Sequence, residues 1–122
     1  MMTKMAHLLI KFGGGLITDK SAMKTIDADV IANLANLTQQ LISQGHAITI
    51  VHGAGSFGHL KAKKWRIAQG ADEAILTEQI LAVDSIRQDM LELDSILCEA
   101  LEQHNIEIRN LPPSQWARET GP

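Results

Sequence analysis

Two glycine-rich stretches, each placed directly after a short apolar run, constrain the fold of this sequence most strongly. The first run, Ala6 to Phe12, ends at Gly13-Gly14-Gly15. The second run, Ala47 to Val51, is rich in β-branched residues and ends in the stretch His52 to His59. Short apolar runs that stop at glycine are typical of buried strands. We therefore predict two strands whose carboxyl ends lead into glycine loops.

The segment between these two strands has the pattern of a helix. Residues 27–44 carry apolar side chains at helical spacing, with Asp27 available as the N-cap and Gly45 just past the end. Two strands joined through a helix imply a parallel sheet and an α/β fold. The apolar positions are Val30, Leu34, Leu37, Leu41 and Ile42.

The second half of the chain predicts a long helix followed by a third strand. Residues 73–104 carry apolar side chains at three- and four-residue steps. Ile106-Glu107-Ile108 has the composition of a short strand, and Leu111-Pro112-Pro113-Ser114 has that of a turn, since proline cannot continue a central strand. No linker marks a domain boundary, so we expect residues 1–122 to form a single domain.

The overall composition argues against several classes of function. A net charge of -3 gives no basic field that would hold nucleic acid or an anionic membrane. Cys98 is the only cysteine, so no intrachain disulfide can form. The apolar run Leu8 to Phe12 is interrupted by Lys11 and is too short for a membrane span or a signal peptide. We expect a cytoplasmic protein that binds neither nucleic acid nor membrane.

The two glycine loops suggest phosphate chemistry. Glycine lets backbone N–H groups approach an anion closely, and the start of a following helix adds a positive dipole end. In an open α/β sheet ligands bind at the carboxyl ends of the strands, so Gly13 to Gly15 and Gly53 to Gly58 should face one crevice. Neither a Walker A motif nor the usual dinucleotide fingerprint is present. Two phosphate cradles in one crevice favour phosphoryl transfer.

Basic side chains border both loops. Lys11 interrupts the first strand and Lys20 follows the first loop, and both have the reach to neutralise phosphate oxygens. His59 closes the second loop, and His52 at its start is expected to orient that loop. The alternatives are that Lys11 is an edge residue extending to solvent, that Lys20 is an ordinary surface lysine, and that His59 has no role.

The loops and their neighbours together resemble a known family. Ile10 to Gly15 followed by Val51 to His59 resembles the two amino-terminal signatures of isopentenyl phosphate kinases, in the amino acid kinase superfamily. Within that superfamily the Ser-Phe-Gly-His continuation is shared with fosfomycin kinases. Two departures are Ala54, where many relatives have glycine, and Gly15, where many have serine or alanine. Leu16 to Lys20, Ala62 to Lys64 and Pro112 to Ser114 also resemble the family.

The resemblance implies a fold and an activity. The fold is a three-layer αβα sandwich with a mainly parallel sheet, here truncated. The activity is ATP-dependent phosphorylation of isopentenyl phosphate to isopentenyl diphosphate, with ATP and Mg²⁺ as cofactors. A fosfomycin kinase-like enzyme, or another kinase with a phosphate or phosphonate acceptor, is the alternative.

The resemblance also implies roles for individual residues. His59 would donate a hydrogen bond to the acceptor phosphate, Lys11 would face the transferring phosphoryl group, and Lys20 would assist at the donor phosphates. Lys11, Lys20 and His59 are thus the candidate catalytic residues, and no residue is assigned to a metal. The donor-side contacts would come from Lys11, Gly13, Gly15 and Lys20. The acceptor-side contacts would come from Gly14, Gly53, Ala54, Gly55, Ser56 and Gly58.

Two further residues are candidates for the acceptor's isoprenoid tail. Val83 and Ile86 lie on one face of the predicted long helix and could line a tail pocket. The alternative is an ordinary core, which produces the same helical spacing.

The chain is shorter than the family that it resembles. The family's nucleotide-binding carboxyl-terminal half is absent, so a fragment, a truncated reading frame and one product of a split protein are all open. A non-catalytic phosphate-binding module left by truncation is the alternative from another class of function. A lone half leaves a sheet edge and apolar helix surface without a partner, so we expect a homo-oligomer, such as a homodimer, or binding to the missing half.

Overall fold

The computed structural model describes residues 4–118. None of the helices in this part of the chain is long and apolar enough to cross a membrane. Short 3-10 turns lie at Gly55–Phe57, Ile67–Gln69 and Glu73–Ile75. The strands and helices, in chain order, are β1 (His7–Phe12), α1 (Gly14–Ile17), α2 (Ala28–Ser43), β2 (Ala47–His52), α3 (His59–Lys64), α4 (Leu76–Gln103) and α5 (Pro113–Trp116).

The two strands form a parallel pair, as predicted. Their register runs from His7 opposite Ala47 to Phe12 opposite His52, so both strands end at the same level. One more backbone hydrogen bond, from the Gly53 nitrogen to the Phe12 oxygen at 3.0 Å, continues the pairing into the second loop. Both glycine loops therefore leave the sheet from one edge.

Helix α2 begins and ends as its sequence predicts. The Asp27 carboxylate accepts a hydrogen bond from the Val30 nitrogen at 3.2 Å, which satisfies one of the free N–H groups of the first turn. At the other end Gly45 has a φ of +94°, a left-handed conformation that favours glycine just beyond a helix. This capped helix carries the chain from the first strand back to the second.

The core lies between one face of the sheet and helices α2 and α4. Side chains alternate across a strand, so Ile10 and Phe12 share one face of β1, and Ile50 points the same way from β2. Phe57, in the second glycine loop, is 2 % exposed and belongs to the same core. The buried apolar cluster consists of Phe12, Ile17, Ile31, Phe57, Leu93 and Leu97.

The opposite face of the sheet is open within the described residues. Leu9 is 71 % exposed and Val51 is 45 % exposed, and Lys11 lies on this face as well. His7 and Thr49 share a side-chain hydrogen bond of 2.8 Å across it. Residues 4–118 thus form two of the three layers expected for the fold, namely the sheet and one layer of helices.

The predicted third strand at residues 106–108 is wrong, because its first N–H group caps helix α4 instead. Asn105 has a φ of +59°, and its nitrogen donates to the Glu102 oxygen at 2.9 Å. The Ile106 nitrogen donates to the Leu101 oxygen at 3.2 Å, which completes a Schellman motif. The predicted turn at residues 111–114 leads into the short helix α5, with Pro113 in its first turn.

The long helix is predicted correctly apart from its first turn. Residues 73–75 form a 3-10 turn, and the α-helix begins at Leu76. Asp72 caps the turn by accepting a hydrogen bond from the Ala74 nitrogen at 3.0 Å. The start of the pattern is therefore tighter than an α-helix, while the remaining residues follow it to Gln103.

We expect the open sheet face to drive self-association of this chain. Replacing Leu9 and Val51 by lysine should weaken the self-association constant by more than about tenfold, since burying one such side chain contributes roughly 1.5–3 kcal/mol. Analytical ultracentrifugation of the double variant measures the change. Leu81→Lys is the matched control, because Leu81 is 63 % exposed but lies on α4. Equal weakening by the control would contradict a role for this face.

Candidate functional site

The two glycine loops pack directly against each other through their backbones. A Cβ atom on Gly14 would overlap the Gly55 nitrogen and lie 2.9 Å from the Ala54 nitrogen. A Cβ atom on Gly53 would lie 2.7 Å from the Gly14 nitrogen. Neither position therefore tolerates a side chain without movement of the backbone. Glycine at these positions is required by the contact between the loops, whatever else the loops bind.

Gly55 is required for a second reason. Its φ of +50° lies in the left-handed region, and a Cβ atom there would overlap both the Gly14 oxygen and the Thr18 hydroxyl. That hydroxyl donates to the Gly14 oxygen at 2.6 Å and accepts from the Ser56 nitrogen at 3.0 Å. Thr18 is only 4 % exposed, so it connects the two loops from the inside.

Ser56 ties the second loop to the segment that follows the first. Its side chain donates to the Thr25 oxygen at 3.2 Å and accepts from the Thr25 nitrogen at 3.3 Å. The Lys24 nitrogen donates to the Ser56 oxygen at 3.1 Å. Because Ser56 is 2 % exposed and its hydroxyl proton is already donated, its side chain acts first as a link within the protein. Its assignment as an acceptor contact stays a prediction.

The first loop is open on its outer side. Around Gly13 there is open space, since nothing would lie within 4 Å of a Cβ atom there. At Gly15 a Cβ atom would overlap the side chain of Lys20, so the lysine stem lies over this glycine. The predicted donor-side residues Gly15 and Lys20 are therefore brought together by the fold.

A tight turn fixes the position of Lys20. The carboxylate of Asp19 accepts hydrogen bonds from the Ser21 hydroxyl at 2.7 Å and from the Ser21 nitrogen at 3.0 Å. These bonds lower the pKa of Asp19, the hydroxyl contributing most. Lys20 is held between the two residues of this turn.

A shallow depression of about 440 Å³ lies beside the first loop. Its lining includes Gly15 and Lys20, both predicted for donor contacts, but also Asp19, Asp27 and Asp29. Three carboxylates against one lysine disfavour a polyanion there. The depression therefore does not suit the donor phosphates, and the donor-side roles of Gly15 and Lys20 stay predictions.

Lys11 and His59 are both exposed near the end of the sheet from which the loops leave, but Lys11 lies on the open face, whereas His59 begins α3, which packs against α4 on the core side. Lys11 is the last residue but one of β1, and His59 is the first residue of α3. The helices that follow the loops are short, since α1 has four residues and α3 has six. Their dipoles are correspondingly small. The charge at this edge therefore comes mainly from side chains.

Ile86, one of the two residues predicted for an acceptor tail, lies near the second loop. Ile86 Cγ2 is 3.6 Å and Met90 Sδ is 3.7 Å from the position of a Cβ atom on Gly58. The Cβ atom of Ala54 is closer still, at 2.8 Å, so Gly58 also has little room for a side chain. Val83 and Ile86 are both half-buried on α4. Apolar surface from α4 thus adjoins the second loop.

His52 contacts both the second loop and helix α4. One ring nitrogen lies 3.1 Å from the Gly53 oxygen, and the other lies 3.2 Å from a carboxylate oxygen of Asp94. The second oxygen of Asp94 accepts a hydrogen bond from the side chain of Asn110. This arrangement fits the orienting role predicted for His52. Its partners, distant in sequence, could not be predicted.

A second group of charged residues lies behind the second loop and escaped the sequence analysis. Asp89 on α4 is 6 % exposed and pairs with Lys61 at 2.6 Å and Lys24 at 3.4 Å. Lys24 also pairs with Glu92 at 2.6 Å, which raises the pKa of Lys24. The sequence signal for this group is Asp89, a carboxylate that lies three residues after Ile86 and four before Leu93, on the apolar side of the helix.

Comparison with known proteins identifies the family. The model of the amino acid kinase family matches residues 7–122. This chain belongs to the amino acid kinase family.

Relatives of this amino acid kinase chain include isopentenyl phosphate kinases. The protein of that name from Methanothermobacter thermautotrophicus is 31 % identical over 114 residues, which cover 91 % of this chain and 42 % of the relative. That from Thermoplasma acidophilum is 26 % identical over 107 residues, covering 88 % and 41 %. A solved structure described as an isopentenyl phosphate kinase superposes with a TM-score of 0.77 at 28 % identity, covering 92 % and 45 %. The chain spans less than half the length of each.

These similarities confirm the family resemblance and the α/β class with its parallel sheet. Within residues 4–118, no group of three histidine, cysteine, aspartate or glutamate side chains could hold a metal ion.

Adjacent glycines of the first loop give a direct test of the packing between loops. Gly14→Ala should destabilise the fold by about 1–3 kcal/mol or more, because the added methyl group overlaps the backbone of the second loop. Gly13→Ala is the control, since Gly13 has a φ of -59° and a ψ of 138° and faces open space. It should be neutral or stabilising by about 0.4–1 kcal/mol. Urea unfolding of both variants measures the difference, and similar losses would contradict the packing.

Proposed function

We propose that this chain provides the acceptor-binding part of an ATP-dependent kinase that converts isopentenyl phosphate to isopentenyl diphosphate. The observation that carries the proposal is the packing of two glycine loops at one sheet edge, bordered by Lys11, Lys20 and His59. Similarity to isopentenyl phosphate kinases supports the choice of acceptor. Because the chain spans less than half of those relatives, the complete reaction needs contacts that it does not supply alone.

The proposed reaction makes modest demands on acid–base chemistry. A phosphate monoester has a second pKa of about 6, so the acceptor is already largely dianionic at neutral pH. One of its oxygens attacks the terminal phosphorus of ATP, a new P–O bond forms, and the bond to the ADP oxygen breaks. The transition state is loose, with charge spread over the phosphoryl oxygens. The protein must therefore align two anions and neutralise their repulsion.

The exposed basic side chains suit that task. His59 directly follows the second loop and can donate a hydrogen bond to the acceptor phosphate. Lys11 and Lys20 border the first loop, and their ammonium groups can neutralise the transferring phosphoryl group and the donor phosphates. The open backbone at Gly13 leaves room for a phosphate to approach.

ATP would supply the transferable phosphoryl group, held on this chain through Lys11, Gly13, Gly15 and Lys20. Gly13 faces open space, so the polyphosphate would approach from the side of Gly13 and reach the end of the Lys20 side chain away from Asp19, Asp27 and Asp29. Mg²⁺ would be held mainly by phosphate oxygens. We propose that the adenine contacts belong to the carboxyl-terminal part of the relatives, which this chain does not span.

The tail of the acceptor would lie on the apolar surface of α4. Ile86 adjoins Gly58, and Val83 lies one helical turn earlier on the same side of α4. A kinase with a smaller phosphonate acceptor would have little use for this surface. The proposal also includes a cytoplasmic location. The open sheet face favours assembly with a second copy of this chain or with a part equivalent to the carboxyl-terminal part of the relatives.

A second candidate is a phosphate-binding module without catalysis. The observation that favours it is the depression beside Lys20, where Asp19, Asp27 and Asp29 disfavour the phosphates of a nucleotide. Such a module would bind isopentenyl phosphate but would give no turnover when joined to the carboxyl-terminal part of a relative. ADP release by the joined chain therefore separates the two candidates.

Turnover of isopentenyl phosphate tests the proposal. ADP release should be measured for this chain alone and for the chain joined to the carboxyl-terminal part of the Methanothermobacter thermautotrophicus relative. In the active form, His59→Ala should lower kcat about 100-fold or more, because a donor to the reacting anions is lost. His104→Ala is the control, since His104 caps the far end of α4 and contacts the Ala100 oxygen. Unchanged turnover in His59→Ala would remove the assigned role.

A further inference from the structure

Asp89 occupies an unusual position for a carboxylate. It lies on α4 among residues that face the core, and it is only 6 % exposed. A buried carboxylate is costly unless cations and hydrogen bonds compensate for the lost water. Asp89 has two lysine partners, and each of its oxygens faces a different one. The two lysines come from different parts of the chain.

The first partner belongs to the helix that carries His59. Lys61 lies two residues after His59 on α3, and its ammonium group donates to Asp89 Oδ2 and to the Ser85 hydroxyl, both at 2.6 Å. Lys61 is mostly buried, at 23 % side-chain exposure. Because α3 is a single short helix of six residues, this contact fixes its position against α4.

The second partner belongs to the segment that carries Lys20. The ammonium group of Lys24 lies 3.4 Å from Asp89 Oδ1, and the Lys24 nitrogen donates to the Ser56 oxygen at 3.1 Å. Lys24 has a φ of +52°, a conformation that costs energy for any residue with a side chain. The contacts of its backbone and its side chain hold it there.

Asp89 therefore connects the two sides of the crevice. One oxygen holds the Lys20 segment and the other holds the His59 helix. We propose that Asp89 is a positioning residue that sets the placement of these two elements relative to each other, and so the alignment of the two phosphate groups. The proposal rests on the proposed function for its consequence in phosphate binding. Its structural part stands on the contacts alone.

Amide hydrogen exchange on the 122-residue chain tests the structural part. Asp89→Asn keeps the shape of the side chain but removes its charge. We expect exchange at the Lys24 and Ala62 amides to accelerate about tenfold more than at the Ile31 amide, which reports the core helix α2. Lys24 donates to the Ser56 oxygen and Ala62 to the Gly58 oxygen, so each amide reports one side of the crevice.

Asp84→Asn is the matched control. It makes the same chemical change on the same helix, but Asp84 is 70 % exposed and pairs only loosely with Arg87, at 3.9 Å. It should leave exchange at all three amides unchanged. Equal acceleration at every amide in Asp89→Asn, or none at all, would overturn the proposal, since either result means that Asp89 does not act on these two elements in particular.

Single-arm variants give a pattern that general destabilisation would not produce. Lys61→Met should accelerate amide exchange at Ala62 but not at Lys24. Lys24→Met should accelerate exchange at the Thr25 amide, which donates to the Ser56 hydroxyl, but not at Ala62. These variants also decide the matter if Asp89→Asn does not fold. If either lysine variant accelerated exchange both in the Lys20 segment and in α3, Asp89 would not hold these two elements through separate contacts.

Titration with isopentenyl phosphate, followed by the NMR signals of the His59 ring, tests the functional part. We expect Asp89→Asn to raise the Kd for isopentenyl phosphate about tenfold, which corresponds to about 1.4 kcal/mol. Asp84→Asn should leave this Kd unchanged. If the unmodified chain does not bind isopentenyl phosphate, that result counts against the proposed function. The hydrogen-exchange experiment still tests the positioning role of Asp89, because it needs no ligand. Normal binding in Asp89→Asn would overturn its effect on phosphate alignment.

Discussion

The contact between the two glycine loops is the constraint on which the rest of this structure depends. Gly14 and Gly53 approach so closely that neither has room for a Cβ atom, and this contact is possible because β1 and β2 end at the same level. Thr18 and Ser56 then bond across the junction from the inside. The geometry of the edge is thus set by backbone packing and buried hydroxyl groups, which leaves the exposed basic side chains free for a ligand.

The parts of the fold that the sequence predicted are those with local causes. The two strands and α2 follow from apolar spacing, from the Asp27 cap and from Gly45 just past the helix. The false third strand had a local cause too, which the composition of Ile106 to Ile108 concealed. Asn105 adopts the left-handed conformation that ends α4, and this directs the Ile106 N–H group back into the helix.

The parts of the site that could not be predicted depend on contacts between distant residues. Glycine spacing located both loops, and the family resemblance suggested roles for Lys11, Lys20 and His59. Nothing in the local sequence shows that Ser56 bonds with Thr25, or that Asp89 lies between two lysines. A carboxylate on the apolar side of a helix was a visible signal, but its partners become apparent only when the chain is folded.

The burial of Phe57 has a thermodynamic consequence for the second loop. Its ring lies in the same core as Ile17 and Leu93, so the loop cannot rearrange without disrupting the packing of the whole molecule. An anion that binds there meets a rigid receptor and loses little affinity to the ordering of the chain. Any such ligand would favour the native state by mass action, so its affinity would appear as a concentration-dependent rise in Tm.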